Sequence, residues 1–504
     1  MNDDHQHARA GGALLVVGGN SGAGKSTVTA GLCRAWARNG RDVVPFKAQN
    51  MSNHSAVTPD GGEIGRAQAM QALAARLDTD RRMNPILLKP TRAATSHVVV
   101  LGDEVGTTDA RGYAQTAQGL KPVVLEALNG LRRDHAWLVA EGAGGAAEIN
   151  LFDRDLVNLP LAAAAGIPAL LVVDIDRGGA FATAHGTIDL LPEHLRRQVG
   201  GIVFNQFRGD PSLLDSGIAA LQRRTAVPVL GVLPHLGDHP MLGVEDSLDV
   251  GHSPQRRGDA ARPVRVAVIR LPHLSNPSDF DPLVMEPDVD LRWATQPGDL
   301  ADADLVILPG SRATVADLQW VRDRGLDDAL RHSGARVLGL CAGYQMLGRR
   351  IHDDVESRVG TVDGLGLLDV ETTFESPKVV SRAAGHAAGT PVAGYQIRWG
   401  RPRGAAQPWL ELDDGPEGAR DASGDVCGTS LHGVLDGDDF RCGLLADVAA
   451  ARGRSFTPAS VSYAAALEDH LEHLADWVER YVDIDALDAL AATAAAPGAG
   501  PGWT

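Results

Sequence analysis

Residues 13–26 read ALLVVGGNSGAGKS, and this stretch decides the fold of the first half of the chain. Residues 13–18 are continuously apolar or small, as expected of a strand buried on both faces of a parallel sheet. Residues 19–26 then satisfy the pattern G-x-x-x-x-G-K-[ST], in which backbone N–H groups and a helix N-terminus surround phosphate oxygens. Together they predict a phosphate-binding loop.

The residues of this loop predict an ATP and Mg²⁺ site. Lys25 is expected to reach the terminal phosphates and Ser26 to ligate Mg²⁺. Further candidate metal ligands are Glu141, after the strand-like segment AWLVA, and Asp60 and Glu63 in TPDGGEIG. Asn205 ends the segment GIVFN, and its side-chain amide is a candidate reader of adenine. The predicted ATP-binding set is Gly19, Gly22, Gly24, Lys25, Ser26, Thr27 and Asn205.

Strand-like and helix-like segments alternate through both halves of the chain, which predicts two α/β domains with parallel sheets. Predicted strands of the first half are 13–18, 43–46, 136–140, 169–173, 200–204 and 228–232, with helices at 26–38, 63–77, 114–132 and 212–224. A second alternation starts at Val264. The predicted organisation is a flexible N-terminus (1–12), an ATP-dependent domain (13–251), a linker (252–263), a second domain (264–490) and a disordered tail (491–504).

Composition narrows the function classes. A chain of 504 residues is too long for one core, since single cores stop growing near ~250–300 residues. The net charge of −17 and the lack of a basic stripe argue against a nucleic-acid partner. No apolar run reaches the roughly 18 residues of a membrane span, and the polar N-terminus does not resemble a signal peptide. We therefore expect a cytoplasmic protein with no membrane partner. The sequence is compatible with a homo-oligomer.

The segment GLCAGYQMLG, residues 339–348, holds a cysteine between glycines after an apolar run. A cysteine on a tight strand-to-helix turn projects from the sheet edge, as a catalytic nucleophile does. Cys341 is therefore the candidate nucleophile, and the alternative is a packed, inert thiol. Four cysteines without C-x-x-C spacing argue against a disulfide framework or a cysteine zinc site.

A cysteine nucleophile needs a base and an oxyanion hole. His432 in GTSLHGVL, flanked by glycine and apolar residues, is the candidate base; His332 and His352 lie among charged residues. The strand-end segment LPGS supplies the backbone N–H of Gly310, and Ala342 follows the nucleophile. Gly310 and Ala342 are thus the predicted oxyanion donors.

These motifs, in this order, resemble the cobyric acid synthase family of cobalamin biosynthesis over nearly the whole chain. The segments that carry the resemblance are 47–53 (KAQNMSN), 63–68 (EIGRAQ), 83–90 (MNPILLKP), 174–179 (DIDRGG), 205–210 (NQFRGD), 275–276 with 279–283 (SN and DFDPL), 308–311 (LPGS), 339–348 (GLCAGYQMLG) and 429–433 (TSLHG). The fold it implies is a dethiobiotin-synthetase-like P-loop NTPase domain followed by a class I glutamine amidotransferase-like domain.

The resemblance also implies a reaction. The family is a glutamine-hydrolysing carbon–nitrogen ligase that amidates four peripheral carboxylates (b, d, e and g) of adenosylcobyrinic acid a,c-diamide at the expense of ATP. Glutamine is then the co-substrate, and a corrinoid is the partner. Basic residues in the family-like segments are candidates for binding its carboxylates: Lys47, Arg66, Lys89, Arg92 and Arg177.

The sequence departs from the family pattern at several positions. Gly22 replaces an Asp or Asn, Gln206 a Lys, and Gln396 and Arg398 a Glu and a His. Class I glutaminases generally carry a Glu two residues after the histidine, where this chain has Val434. The cobyric acid synthase family lacks that Glu as well. We expect a Cys–His dyad in which other contacts orient His432.

Two alternatives keep part of this chemistry. One is an amidotransferase of the same architecture acting on another substrate, as in cobyrinic acid a,c-diamide synthase or cell-wall precursor amidation. The other is a P-loop switch ATPase whose second domain is inert. Segments 47–53 and 83–90 argue against the first, and Cys341 with His432 argues against the second.

Overall fold

The stretch at residues 13–26 folds as a buried strand, a glycine-rich turn and a helix in a computed structural model, which describes residues 11–90, 95–237 and 262–503. The strands of the first domain are β1 Gly12–Gly18, β2 Val43–Phe46, β3 Gln49–Met51, β4 Ser55–Val57, β5 Glu63–Gly65, β6 Ile86–Pro90, β7 Thr95–Val100, β8 Asp103–Asp109, β9 Trp137–Glu141, β10 Ala169–Asp174, β11 Val199–Phe207 and β12 Val229–Pro234. Its helices are α1 Lys25–Arg38, α2 Arg66–Ala74, α3 Ala110–Asp134, α4 Leu159–Ala165, α5 Ala180–Leu190, α6 Glu193–Arg196 and α7 Asp215–Thr225.

The main sheet of the first domain is parallel, which confirms the predicted fold class. Its strand order is β12-β11-β10-β1-β9-β2. The side chains of residues 13–17 in β1 are fully buried, because helices cover both faces of the sheet. This central position brings the turn after β1 to the carboxyl edge of the sheet, where ligands bind in such folds.

Two small sheets beside the main one were not predicted. Strands β3, β6, β7 and β8 form one of them, and β4 pairs with β5 in the other. The predicted helix 63–77 is accordingly β5 followed by α2, which ends at Ala74. Gly65 is extended and caps α2, so the apolar residues before it pair in a hairpin instead of continuing the helix.

The second domain has a parallel sheet of its own, in the order β14-β13-β15-β16-β24-β23 with β23 antiparallel at one edge. Its strands are β13 Val264–Ile269, β14 Val289–Ala294, β15 Leu305–Leu308, β16 Arg336–Leu340, β17 Arg350–Asp353, β18 Gly360–Asp363, β19 Val370–Ala387, β20 Thr390–Gly404, β21 Leu410–Leu412, β22 Gly415–Glu417, β23 Ala419–Arg420 and β24 Val426–Thr429. Its helices are α8 Asp281–Met285, α9 Thr314–Asp323, α10 Leu326–His332, α11 Ala342–Leu347 and α12 Asp438–Arg452.

A long antiparallel hairpin, β19 with β20, reaches from the second domain to the first. The Arg382 guanidinium on β19 donates from Nε to the carbonyl of Val57 at 2.9 Å. Lys378 on the same strand lies 2.7 Å from a carboxylate oxygen of Glu63. The two domains are thus joined by polar contacts beside β4 and β5.

The C-terminal helices pack on the first domain, which differs from the predicted boundary at residue 490. Helix α13 runs Tyr463–Tyr481 and α14 runs Ile484–Ala491. Leu471, Leu474 and Val478 are buried in one cluster with residues of β1 and α1. Arg34 of α1 is fully buried and lies 2.8 Å from Glu468. These contacts could not be predicted from the sequence, because the apolar face of an amphipathic helix does not indicate which domain it packs against.

The predicted disordered tail also differs from the structure as far as residue 503. The N–H of Ala495 donates to the carbonyl of Gly166 at 2.7 Å, and that of Gly502 donates to Ala164 at 3.0 Å. The Ala/Gly/Pro-rich composition suggested disorder, but small residues let this segment lie close against α4. The predicted linker 252–263 falls almost entirely outside the described residues.

Among the helices in the described parts of the chain, none is long and apolar enough to cross a membrane.

Candidate active site

Cys341 lies on the sharp turn between β16 and α11. Its backbone has φ 51 and ψ −109, a strained conformation of the kind that costs about 1–3 kcal/mol and clusters at active sites. The Cys341 N–H donates to the carbonyl of Thr429 at 2.8 Å, which holds the turn against β24. A Cβ at Gly343 would lie 1.8 Å from the Leu308 carbonyl oxygen, so the turn requires glycine there.

His432, the candidate base, lies beside this thiol. Its Nδ1 atom lies 2.7 Å from Oδ2 of Asp279, and its ring stacks on Tyr395 with centroids 5.3 Å apart. The second oxygen of Asp279 accepts the N–H of Gly433 at 3.0 Å. With Nδ1 engaged, Nε2 is the ring nitrogen available to Cys341.

Electrostatics favour the charged form of His432. Burial opposes protonation, but the neighbouring Asp279 carboxylate and the Cys341 side chain, which is hydrogen-bonded to the imidazole, outweigh it and raise the pKa of His432 to about 10. A nucleophilic cysteine is commonly activated by a histidine in this position. The arrangement can therefore hold Cys341 ready for nucleophilic attack.

Asp279 is a candidate site residue that the sequence reasoning did not identify. It lies in a short 3-10 helix at Pro277–Phe280 and is buried, with 4% of its surface exposed. Val434, in the position where a Glu was considered, is packed in the core of the domain. The available signal was the family-like segment 279–283, DFDPL, which holds two acidic residues, Asp279 and Asp281, among apolar ones. Nothing in the sequence pairs it with a histidine 153 positions later.

Gly310 packs directly against the Cys–His pair. A Cβ at Gly310 would lie 3.0 Å from Cε1 of His432 and 3.7 Å from Cβ of Cys341, so a larger residue would crowd the site. Ala342 is the first residue of α11, and the first N–H groups of a helix have no intrahelical acceptor. Both predicted oxyanion donors therefore lie beside the nucleophile.

The pocket at Cys341 is lined by both domains. Asn53 and Lys89 come from the first domain, and Arg312, Glu356, Lys378 and Arg398 come from the second. Arg398 donates to the side-chain oxygen of Gln396 at 2.8 Å and to the carbonyl of Gly400 at 2.5 Å. The two departures from the family pattern at 396 and 398 thus bond to each other.

Glu63 is paired with lysines and is not assembled with the phosphate loop. It is fully buried and contacts the ammonium groups of Lys89 and Lys378. Burial alone would raise the pKa of Glu63, but the charges of Lys378 and Lys89 hold it well below its usual range. Lys89 also donates to Ser55 at 2.8 Å. Because two cations already occupy Glu63, its predicted role as a metal ligand is not supported by this arrangement.

The phosphate loop has the backbone that its glycines allow. Gly22 and Gly24 have φ of 72 and 86, in the left-handed region that favours glycine. Lys25 donates to the carbonyl of Gly144 at 3.0 Å, in the loop after β9. Gly19 begins the turn, with its N–H donating to Val172 at 2.9 Å, and Thr27 lies in the first turn of α1.

Glu141 gathers three donors next to this loop. Its Oε1 accepts from the hydroxyl of Ser26 at 2.8 Å and lies 2.8 Å from Nζ of Lys47. Its Oε2 accepts from Gln71 at 2.5 Å. No group of three or more His, Cys, Asp or Glu gathers as a metal site within the described residues. The adjacent hydroxyl and carboxylate still fit Mg²⁺, which is commonly bound through one or two carboxylates together with substrate phosphates.

Asp60 and Asn205 make other contacts than those expected of them. Asp60 is exposed on a turn and pairs with Arg81, whose Nε lies 2.7 Å away, so it does not join Ser26 and Glu141. Asn205 donates to the carbonyl of Ala23 at 2.9 Å and braces the phosphate loop. An adenine contact by Asn205 remains a prediction.

The candidate carboxylate-binding residues that the structure describes do not form one cluster. Nη2 of Arg177 lies 3.3 Å from where a Cβ on Gly22 would stand, so Arg177 reaches the phosphate loop. Arg66 lies at the domain contact, where the charge of Asp436 contributes to raising its pKa against the effect of burial. Arg92 lies outside the described residues.

One segment connects the two reactive centres. Lys47 contacts Glu141 at the phosphate loop, and Asn53 lines the Cys341 pocket. Six residues of fully extended chain span at most about 20–22 Å. The phosphate loop and the cysteine pocket are therefore held close by residues 47–53.

Two family models match the chain, one for each domain. Residues 14–239 match a CobQ/CobB/MinD/ParA nucleotide binding domain. Residues 265–440 match a CobB/CobQ-like glutamine amidotransferase domain. The first boundary encloses the phosphate loop, and the second encloses Cys341, His432 and Asp279.

Curated relatives match over nearly the full length of both partners. A protein named cobyric acid synthase from Frankia casuarinae is 50% identical, with 95% of this chain and 97% of the relative covered. Proteins of the same name from Saccharopolyspora erythraea and Nocardia farcinica are 49% and 48% identical, with 94% and 95% of this chain and 93% and 96% of the relatives covered.

Proposed function

This chain belongs to the family of cobyric acid synthases, and on that premise we propose that it converts adenosylcobyrinic acid a,c-diamide into adenosylcobyric acid. Four peripheral carboxylates, b, d, e and g, would be amidated with ammonia from glutamine at the expense of ATP. The observation that carries the proposal is that residues 47–53 link the phosphate loop to the cysteine pocket, so activation and ammonia release can be coupled.

Ammonia is made in the second domain. The Cys341 thiolate attacks the carboxamide carbon of glutamine, and the N–H groups of Gly310 and Ala342 hold the oxyanion. His432 gives its proton to the leaving nitrogen, the C–N bond breaks, and ammonia departs from a thioester. Water, deprotonated by His432, then releases glutamate and restores Cys341. Asp279 keeps the imidazole oriented and stabilises its charge.

The carboxylate is activated in the first domain. A substrate carboxylate oxygen attacks the γ-phosphate of ATP, ADP leaves, and an acyl phosphate forms. Ammonia attacks its carbonyl carbon, loses one proton and displaces phosphate, which yields the amide. Lys25, with Lys47 next to Glu141, would position and neutralise the phosphates. Ser26 and Glu141 would hold Mg²⁺, which when bound supplies further charge neutralisation.

The proposal is tested by mass spectrometry of adenosylcobyrinic acid a,c-diamide incubated with enzyme, ATP, Mg²⁺ and glutamine. We expect a product with the mass of four amidations and release of a matching amount of glutamate. Cys341→Ser is the control: it should lose glutamine-dependent amidation and keep amidation from added ammonium chloride. Absence of the amidated product with either nitrogen source would refute the proposed substrate.

A further inference from the structure

The cysteine pocket contains a cation with two unused donor atoms. Arg312 follows the oxyanion residue Gly310 by two positions and lines the pocket. Its Nε and Nη2 atoms are buried and have no hydrogen-bond partner among the described residues. Buried donor atoms without acceptors are costly, and the planar fork of a guanidinium matches a carboxylate. The group is therefore built to receive an anionic ligand.

The other cations of the pocket are already engaged. Lys89 and Lys378 share the carboxylate of Glu63. Arg398 donates to Gln396 and to the carbonyl of Gly400. Arg312 is thus the pocket cation best able to bind a further carboxylate.

The pocket also contains a carboxylate fixed in place. Oε1 of Glu356 accepts the N–H of Thr314 at 3.0 Å, at the start of α9. The turn that carries Glu356 is held by Asp353, which accepts the N–H groups of Val355 and Glu356. Burial raises the pKa of Glu356 to about 7, with Arg312 opposing the shift. An ammonium ligand would add a direct ion pair to the charges of Arg312 and Lys378, which act on this carboxylate without outweighing burial.

We propose that Arg312 and Glu356 bind the amino-acid end of glutamine, Arg312 its α-carboxylate and Glu356 its α-ammonium group. The inference rests on the proposed glutaminase function and assigns the residues that select its substrate. Two methylene groups separate this end of glutamine from its carboxamide, so the ligand can place the carboxamide at Cys341 while its charged end meets both residues. Recognition of both charges would select the zwitterion over other amides.

The test pairs variants with substrates that lack one charge each. Glutamate or product-acid release is measured with glutamine, with γ-aminobutyramide, which lacks the α-carboxylate, and with glutaramate, which lacks the α-amino group. Corrinoid and ATP are present throughout. The wild-type kcat/KM should fall by about tenfold to a hundredfold or more for each analogue, since each loses a charged hydrogen-bonded contact.

Each variant should erase one of these two preferences. Arg312→Ala should lower kcat/KM for glutamine and glutaramate but leave γ-aminobutyramide nearly unchanged, and Glu356→Gln should show the reverse pattern. Arg312→Lys, which keeps the charge and loses the fork, should fall between wild type and Arg312→Ala. Arg197→Ala, at an arginine whose side chain is 71% exposed, is the matched control and should change none of the rates.

Two results would overturn the proposal. One is an equal loss with all three substrates in both variants, as expected of general structural damage. The other is a wild-type enzyme that hydrolyses the analogues as well as it does glutamine, a result that needs no variant to fold. A wild-type enzyme that hydrolyses no glutamine at all would instead refute the glutaminase function itself.

Discussion

Nδ1 of His432 lies 2.7 Å from Oδ2 of Asp279, and both side chains are buried. The two residues come from opposite ends of the second domain and complete a Cys–His–Asp arrangement with Cys341. A carboxylate in this position fixes the tautomer and orientation of the imidazole. The dyad expected from the sequence is therefore supported by a third residue.

Replacing Asp279 with Asn should uncouple the two half-reactions. The amide keeps the shape of the side chain but removes the negative charge that orients His432 and favours its protonated form. Glutaminase kcat should therefore fall about 10²- to 10⁴-fold. Amidation from added ammonium chloride should stay near the wild-type rate, because it bypasses Cys341. The comparison of the two nitrogen sources is the measurement, and an equal loss with both would contradict the assignment.

The raised pKa of His432 should appear in the pH dependence of stability. Its pKa rises from about 6.5 to about 10 in the folded protein, so its protonation stabilises the fold fully below about 6.5, and this contribution is lost as pH rises through about 10. The Tm difference between wild type and His432→Gln should be largest near pH 6 and shrink toward alkaline pH. A pH-independent difference would argue against a charged His432.

The buried cluster of Glu63, Lys89 and Lys378 should dominate the polar contact between domains. Glu63→Gln removes the carboxylate that Lys89 and Lys378 share, leaves Lys378 only the more distant Glu104 at 3.6 Å, and should cost about 3–5 kcal/mol, seen as a lower Tm. Lys378→Met should cost less, since Lys89 keeps its partner. Glu193→Gln removes an exposed ion pair with Arg197 and should leave the Tm unchanged. Equal effects of all three substitutions would contradict this view.

A cavity in the packing between α13 and the first domain should lower the stability of the protein. Leu474 of α13 is fully buried there, so Leu474→Ala should lower the free energy of unfolding by about 2–5 kcal/mol. Leu213, which is 77% exposed, provides the matched control. Thermal unfolding of the two variants makes the comparison, and an unchanged Tm for Leu474→Ala would mean that α13 does not seal this core.

Local patterns carried most of what the sequence could predict. The phosphate loop, the parallel strands around it and the turn at Cys341 are each contained within a few neighbouring residues, so periodicity and glycine placement were sufficient. Glu141 was found beside Ser26 for the same reason, because strand ends in a parallel sheet meet at one edge.

Long-range pairings could not be predicted in this way. The partners of Glu63, a candidate metal ligand in the sequence, come from β6 and from the second domain, and no local pattern indicates either of them. Asp279 lies within a family-like segment, but only the fold brings it to its partner His432. The surface covered by α13 was equally hidden, because its apolar face fits more than one possible neighbour.

Because α13 packs on the first domain, the glutaminase domain is inserted between two parts of the chain that form the synthetase domain. Residues up to 237 and residues from 463 onward belong to one folded unit, and the second domain is contiguous between them. During translation the first domain therefore cannot complete its fold until α13 and α14 leave the ribosome. Until then the apolar surface around α1 stays uncovered. A gene cut between the two activities would release an intact glutaminase but an incomplete synthetase.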